Sequence, residues 1–368
     1  MAYTDIDDGS EYFQTAAYSG NGTTLAVTSQ GNATIAPDFV WVKRRNSASS
    51  HALLNSNLGR SKSLSTHVDE AEYTTTVANK DLISFDTDGF TVGPAEQRNM
   101  NGANQTFVGW QWKCNGGTKG DNDDGSITVN LQVNQQAGFS IGTYTGTGDE
   151  ETLGHGLGVA PKVHITKKTN GADAWNMYHE SIGNTHGLRL NGSGAKEDFG
   201  FYGDTSPTSS VFTVGGVTSN DRLNTDGASY VFYSFAEKQG YSKFGSYIGN
   251  SNANGTFVYT GFKPAWVMTK GTFTMGDSNN YNWYTIVDDT RSPINTISLN
   301  DALFANDDNA EGNRYSGTGS GIAHMDFLSN GFKLRGSSYE SNQAGEYVFL
   351  AFAENPFVSS KGTPVTAR

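Results

Sequence analysis

The sequence predicts an all-β protein built from three tandem antiparallel β-sandwich domains. Val, Ile, Thr, Tyr and Phe alternate with small polar residues, which is the period of a half-buried strand. Gly- or Asn-containing turn signals recur about every 8 to 12 positions, whereas helical periodicity is weak throughout. The same order of strands and turns also occurs three times along the chain, which predicts three copies of one fold.

Composition excludes several other classes. The 368 residues include 45 Gly but only 1 Cys, and 12% are aromatic. Disordered chains lack aromatic residues, and a collagen-like chain needs Gly at every third position. No apolar run reaches the length of a membrane-spanning helix, and the first residues lack the pattern of a signal peptide. A lone Cys114 excludes an intrachain disulfide framework.

The net charge of −12 bears on partners. Nucleic acids and anionic membranes attract basic surfaces, so we expect neither nucleic-acid binding nor membrane insertion.

Each repeat opens on a Tyr- and Gly-containing segment, continues with an apolar strand from Pro to Lys, and closes on an aromatic strand. The opening segments are Tyr18–Gly22, Tyr144–Gly148 and Tyr247–Ser251. The Pro-to-Lys strands are Pro37–Lys43, Pro161–Lys167 and Pro264–Lys270. The closing strands are Phe107–Lys113, Tyr230–Glu237 and Tyr347–Glu354. Because these closing strands are almost uninterrupted apolar runs, we expect each to be central in its sheet.

These landmarks place the domains at residues 1–116 (unit 1), 117–243 (unit 2) and 244–368 (unit 3). The Gly- and Asp-rich segment Gly116–Gly125 is a predicted flexible linker, and Ser126–Val133 alternates like an extra strand of unit 2. The junction at Gly240–Tyr247 is short. We therefore expect units 2 and 3 to form a semi-rigid pair and unit 1 to hinge.

Catalytic patterns are weak. The seven His residues show no metal-ligand spacing, and no nucleophile elbow or nucleotide-binding loop occurs. Glycoside hydrolysis needs two carboxylates facing one cleft. No strand carries such a set, and the strand-ending Glu237 and Glu354 correspond to Lys113 in unit 1, which indicates a surface position. We therefore predict a protein that is not an enzyme.

No cofactor is expected, although two acidic loops present the hard oxygen ligands that calcium prefers. The candidate calcium ligands are Asp121, Asp123, Asp307 and Asp308. Neither loop has the closing Glu of an EF-hand, and the favoured alternative is that both loops are solvated turns.

Loops rich in Asn, Tyr and Trp suggest sugar binding, since amides bind hydroxyl groups and aromatic faces stack on sugar rings. The candidate ligand-binding residues are Trp175, Trp283, Tyr281, Tyr284 and Asn282. The alternative is that Trp175 and Trp283 occupy equivalent positions and each closes one end of its sandwich. That alternative is the favoured one.

Several motifs resemble a known family. They are the opening Met1-Ala-Tyr-Thr-Asp-Ile-Asp-Asp, the strand Pro37–Lys43, Gly240-Tyr-Ser-Lys-Phe-Gly-Ser-Tyr247 and Ala351-Phe-Ala-Glu-Asn-Pro-Phe357. They look like virion proteins of tailed phages from marine bacteria and cyanobacteria, a group that includes tail-fibre proteins. The resemblance covers nearly the whole chain. It implies jelly-roll domains of the concanavalin A-like lectin/glucanase type and supplies no catalytic residues.

Two functions follow from this resemblance. The first is a tail-fibre or receptor-binding module that contacts host surface polysaccharide. The second is a structural virion protein, a capsid decoration or fibre adaptor, whose partners are other phage structural proteins. The lack of a coiled-coil stem before the first repeat favours this second function. A polysaccharide depolymerase is a third, less favoured reading. Both leading functions place a homo-oligomer on the virion, made in the host bacterial cytoplasm.

Overall fold

The computed structural model describes residues 4–198, 200, 202–215, 223–274, 282–291, 295, 302–312, 325–337 and 340–365. Within these ranges the protein is all-β, with antiparallel sheets and two short 3-10 helices, Gly9–Glu11 and Glu180–Ile182. The predicted fold class is thereby confirmed. No helix in the described residues is long and apolar enough to cross a membrane.

Unit 1 contains a six-stranded sheet in the order β1-β9-β3-β4-β5-β6 and a three-stranded sheet in the order β2-β8-β7. Its strands are β1 (Phe13–Ser19), β2 (Leu25–Val27), β3 (Phe39–Arg44), β4 (Ala52–Asn55), β5 (Lys62–Leu64), β6 (Tyr73–Thr74), β7 (Leu82–Phe85), β8 (Phe90–Val92) and β9 (Thr106–Trp112).

Unit 2 has an eight-stranded sheet in the order β10-β11-β12-β19-β14-β15-β16-β17 and the pair β13-β18. Its strands are β10 (Gly120–Asn122), β11 (Val129–Asn134), β12 (Phe139–Thr145), β13 (Glu151–Gly154), β14 (Val163–Lys168), β15 (Asn176–His179), β16 (His186–Arg189), β17 (Glu197–Asp198), β18 (Val211–Val214) and β19 (Ser229–Phe235). The extra strand predicted near residues 126–133 is confirmed as β11. Part of the predicted linker is an edge strand, β10.

Unit 3 has a five-stranded sheet in the order β20-β27-β22-β23-β24 and a three-stranded sheet in the order β21-β26-β25. Its strands are β20 (Ser242–Gly249), β21 (Phe257–Tyr259), β22 (Phe262–Gly271), β23 (Thr285–Asp288), β24 (Leu303–Phe304), β25 (Met325–Leu328), β26 (Gly331–Leu334) and β27 (Gly345–Pro356).

The closing strands occupy the same place in all three large sheets. Each lies between the opening strand and the Pro-to-Lys strand of its unit, so the prediction that they are central is confirmed. Their large aromatic side chains are at most 5% exposed, namely Trp110, Trp112, Phe232, Phe235, Phe349 and Phe352. Alternate residues of a strand point to opposite faces, so an uninterrupted apolar run means that both faces are covered.

One face of each closing strand packs in a core of its own unit. In β19, Tyr230 and Phe232 belong to a cluster with Phe212 and Val214 of the small sheet. Corresponding clusters form in unit 1 around Phe90 and in unit 3 around Phe332. Each unit is therefore a small sandwich with its own hydrophobic core.

The other face of each closing strand packs in a central core that all three units share. Trp112 of unit 1 and Phe235 of unit 2 both contact Phe352 of unit 3, with ring centroids 5.7 and 5.8 Å apart. The equivalent residues Trp41, Ile165 and Met268 line a small apolar void of about 30 Å³ at the centre. The three large sheets thus face one another.

Equivalent positions make the contacts at all three junctions between units. The donor is a backbone N–H in the loop that follows β5, β16 or β24, the strands that hold the same place in the three large sheets. The acceptor is a backbone carbonyl of the next unit, two residues after its repeated Lys. The three pairs are Glu72 to Thr169 (2.8 Å), Lys196 to Thr272 (3.0 Å) and Glu311 to Arg45 (2.8 Å). The units therefore follow one another head to tail in a closed ring with pseudo-threefold symmetry, since the third contact returns to unit 1.

A second set of contacts follows the same cycle. Asn55, His179 and Asp288 are equivalent because they pair with Phe39, Val163 and Trp266 in their sheets. Each bonds the closing strand of the next unit: Asn55 Nδ2 to Tyr233 Oη (2.8 Å), His179 Nε2 to Phe349 O (3.3 Å) and Trp110 Nε1 to Asp288 Oδ2 (3.0 Å). The expectation that unit 1 hinges is wrong, because unit 1 is packed and hydrogen-bonded to both neighbours.

Candidate functional site

The predicted sugar-binding aromatic residues lie in the interior. Trp175 is fully buried and its Nε1 donates to the carbonyl of Ser65 across the junction of units 1 and 2, at 2.9 Å. Tyr284 is fully buried in the central core, with the Lys270 ammonium 5.2 Å from its ring centroid. Neither residue can stack on a sugar, so this part of the prediction is wrong.

The register of the sheets explains the mistake. Met177 pairs with Ile165 in unit 2, and Ile286 pairs with the equivalent Met268 in unit 3. The residue that matches Trp175 is therefore Tyr284, not Trp283. A shift of one residue exchanges the two faces of a strand, so the two Trp side chains are not equivalent.

The remaining predicted residues are also not assembled into a site. Trp283 is half-buried, with its ring 6.2 Å from that of Phe304. Asn282 is fully buried, and its amide donates to the carbonyl of Phe273. Tyr281 lies outside the described residues.

The acidic loops do not converge on a metal position in the described residues, where no group of three potential metal ligands occurs. Asp121 and Asp123 are exposed and accept hydrogen bonds from Asn130 and Thr128. The backbone carbonyl of Asp308 instead accepts from the Lys43 ammonium at 3.0 Å, and that of Asp307 lies 2.9 Å from His51 Nε2. The Asp307–Asp308 loop therefore fastens unit 3 to unit 1.

The Lys that ends each Pro-to-Lys strand is buried in all three units. Lys43 donates to unit 3, while Lys167 donates to the carbonyl of Asp69 in unit 1, at 3.3 Å. Lys270 donates to the carbonyl of Asn282 in its own unit. Burial lowers the pKa of Lys43 and of Lys167 to about 8, and lowers that of Lys270 well below its ordinary value. Two of these repeated residues thus tie units together.

In the part of the chain that the structure describes, two clefts open where units meet, and neither was predicted. The larger, the 1/2 cleft, has a volume of about 550 Å³ and lies between units 1 and 2. Unit 1 contributes Asn57, Leu58, Lys62 and Glu72, and unit 2 contributes Asp121, Thr128, Asn130, Thr143, Tyr144, Thr145, Thr169, Asn170, Ser229 and Tyr230.

The unit 2 wall of the 1/2 cleft is a polar extension of its large sheet. Thr143 pairs with Asn130 on one side, and Thr145 pairs with Ser229 on the other. Deeper in the same strand Ile141 belongs to the central core. The cleft therefore begins where the inward face of β12 changes from apolar to polar side chains.

Aromatic faces are covered in this cleft. Tyr144 and Tyr230 stack on each other with centroids 4.9 Å apart and are 5% and 1% exposed. Recognition there would depend on hydroxyl, amide and charged groups, including the ion pair of Lys62 with Glu72.

The smaller cleft, the 3/1 cleft, has a volume of about 220 Å³ and lies between units 3 and 1. Its lining from unit 1 is Ser10, Phe13, Gln14, Thr15, Gln30, Gly31 and Asn32; that from unit 3 is Ala265, Asp289, Thr290, Ala353, Glu354 and Asn355. The two clefts lie at equivalent places, each between one unit and the opening-strand region of the next. Asp289 and Thr290 directly follow Asp288, as Ser56 and Asn57 directly follow the equivalent Asn55.

Asp289 and Glu354 form a hydrogen-bonded carboxyl pair in the 3/1 cleft. Burial and the neighbouring Glu354 charge raise the pKa of Asp289 to about 8, so the pair holds one proton at neutral pH. Glu354 also pairs with the Lys263 ammonium. No sequence motif joins the two residues, which lie on different segments of unit 3.

One family comparison gives a match. The family model spans residues 8–356 in one piece and so includes all three units. No curated protein and no solved structure is significantly similar to the chain. The chain therefore belongs to the family described as Domain of unknown function (DUF7483).

Proposed function

We propose that this chain is a non-enzymatic virion module of a tailed phage, of the tail-fibre or receptor-binding kind, and that it binds host surface glycans in the 1/2 cleft. The phage assignment rests on the sequence motifs that resemble tailed-phage proteins. The glycan assignment rests on the 1/2 cleft, an open, strongly polar groove lined by Asn, Thr, Ser and Asp side chains.

The chemistry of the cleft suits sugar hydroxyl groups. Asn170, Thr145 and Asp121 are exposed at its walls, and Asn130 and Thr143 lie beside each other on its floor. Such groups donate and accept hydrogen bonds in water, so a single site would be weak. Several copies on one particle would add avidity.

The experiment is a glycan array and cell labelling with the full chain. Thr145→Arg places a long cationic side chain in the cleft and should abolish labelling of susceptible cells. Ser19→Arg is the matched control: Ser19 holds the equivalent opening-strand position in unit 1, is exposed, and lines neither cleft. Equal labelling by both variants would overturn the proposal for this cleft.

A structural virion protein is the second candidate, and the closed ring favours it. An object with pseudo-threefold symmetry matches a threefold position on a larger assembly, where one copy can contact three identical partners. If the chain labels no cells but binds purified phage particles stoichiometrically, this second function replaces the first.

A further inference from the structure

The 3/1 cleft contains polar groups that neither the fold nor the proposed function uses. The Asp289–Glu354 pair lies on the unit 3 wall. On the opposite wall Thr15 is only 6% exposed, and its Oγ1 has no hydrogen-bond partner in the structure. A buried hydroxyl without a hydrogen-bond partner destabilises the fold, and a bound polar group would offset that cost.

The charges around the pair are nearly all neutralised. Asp288 is held by Arg291 and by the indole N–H of Trp110, and Glu354 is paired with Lys263. The residues that unit 1 contributes to the lining are uncharged. Among the described residues, Asp289 is therefore the carboxyl group of this lining that has no ion-pair partner.

The remaining polar side chains of the lining divide into two groups. The Gln14 amide is fully used, by the carbonyls of Ser10 and Ala33 and the N–H of Gly31. Asn32, Thr290 and Asn355 make no side-chain hydrogen bond within the part of the chain that the structure describes. Together with Thr15 they surround the carboxyl pair with hydroxyl and amide groups.

We propose that the 3/1 cleft binds a small polyhydroxylated molecule with a primary ammonium group, such as an amino sugar with a free amine. The ammonium takes the place of the shared proton: Asp289 releases H⁺ to solvent, and its carboxylate then accepts an N–H hydrogen bond from the ligand. The hydroxyl groups of the ligand pair with Thr15, Thr290 and Asn32. A volume of about 220 Å³ is below the range of drug-sized pockets and limits the ligand to about one sugar ring.

The 3/1 cleft is separate from the 1/2 cleft, so a ligand can bind there whether or not the 1/2 cleft binds a glycan. The two can also be tested separately, since Thr145 and Asp289 line different clefts.

The test is isothermal titration calorimetry of the full chain with glucosamine at pH 6.5, in two buffers with different ionisation enthalpies. We expect binding with release of about one proton per ligand. Glucose and N-acetylglucosamine, which lack the ammonium, should bind at least about tenfold more weakly. Binding without proton release, or equal binding of the three sugars, would overturn the proposal.

Variants separate the carboxyl pair from the rest of the cleft. Asp289→Asn should weaken glucosamine binding about tenfold and remove the proton release, while Ser19→Arg, at an exposed residue that lines neither cleft, should leave both unchanged. Thr290→Val keeps the carboxyl pair and should weaken binding about threefold, which preserves the test if Asp289→Asn does not fold. Unchanged glucosamine binding by both cleft variants would contradict the assignment.

Discussion

Single buried polar groups hold the junctions of this protein together. The indole of Trp175, the amide of Asn55 and the ammonium of Lys43 each bond an atom of a neighbouring unit. A buried polar group without a partner destabilises the protein, so removing one of these groups should weaken the contact between two units rather than a single sheet.

Replacing Trp175 tests this view. Trp175→Phe removes the N–H bonded to Ser65 and leaves space in the central core, which should cost about 2–4 kcal/mol in the free energy of unfolding. Denaturant unfolding measures it. Trp283→Phe serves as the control, because Trp283 is only half-buried; a larger loss there than for Trp175 would contradict the register of β23.

The carboxyl pair makes stability depend on pH. Asp289 has an ordinary pKa of 3.8 that rises to about 8 in the folded protein. Between these values the folded state holds a proton that the unfolded state has lost, so stability should fall as pH rises from about 4 to about 8.

The measurement is the free energy of unfolding at several pH values for the native chain and for Asp289→Asn. Asn keeps a hydrogen-bond donor toward Glu354 and does not ionise, so the variant should lose less stability between pH 5 and pH 8. Parallel pH profiles of the two proteins would rule out the pair as the source.

At the scale of elements, the opening and closing strands approach each other closely where Gly is opposite an aromatic ring. In unit 2, Gly142 of β12 pairs with Phe232 of β19. A Cβ atom at Gly142 would lie 2.2 Å from Phe232 Cζ and 2.7 Å from Val129 Cγ1. The aromatic ring thus fills the space that a side chain would need.

Gly142→Ala should therefore destabilise unit 2 by about 1–3 kcal/mol, because Phe232 is fully buried and must move. The matched control is Gly120→Ala in the edge strand β10, where a Cβ would meet nothing within 4 Å. Thermal unfolding of the two variants compares them. A melting temperature for Gly142→Ala as high as that of Gly120→Ala would contradict the packing of Phe232.

At the scale of the whole molecule, the ring closes with three units. Each unit uses the same positions to contact the next, and the contact from unit 3 returns to unit 1. Among the described residues, the three backbone contacts use each unit once as donor and once as acceptor, so none of these positions is left over for a fourth unit. The ring consists of three units of a single chain, so its closure needs no second copy. The expected homo-oligomer remains a prediction for the virion-bound protein.

We expect the free chain to be a monomer of about 39.5 kDa that unfolds in one cooperative transition, because the central core needs all three units. Light scattering after gel filtration gives the mass, and calorimetry gives the number of transitions. A stable trimer, or three separate transitions, would contradict the shared core.

Much of the fold could be predicted from the sequence because strand periodicity and turn residues act locally. The strand positions, the extra strand β11 and the central closing strands all followed from alternation and repetition. The shared core was missed although a signal existed: β9, β19 and β27 are apolar on both faces, and a sandwich with one small sheet covers only one of them.

The site residues could be predicted much less well. Trp175 and Tyr284 have side chains typical of sugar binding, but both are buried in the folded chain. The indole of Trp175 is covered by unit 1, where its hydrogen-bond partner Ser65 lies 110 positions earlier in the chain. Asp289 and Glu354 carry no local pattern that brings them together. The Lys repeated in all three units was visible in the sequence, yet its role as a junction contact was not.

The sequence by itself therefore determined the all-β class, the threefold repetition and the order of strands, since these depend on backbone geometry and on the period of apolar residues. The tertiary structure decided the closed ring, the burial of the candidate aromatic residues and the two junction clefts. The physical reason is that both the strand register, in which a shift of one residue exchanges the two faces, and the pairing of apolar sheet faces depend on packing between segments distant in the chain.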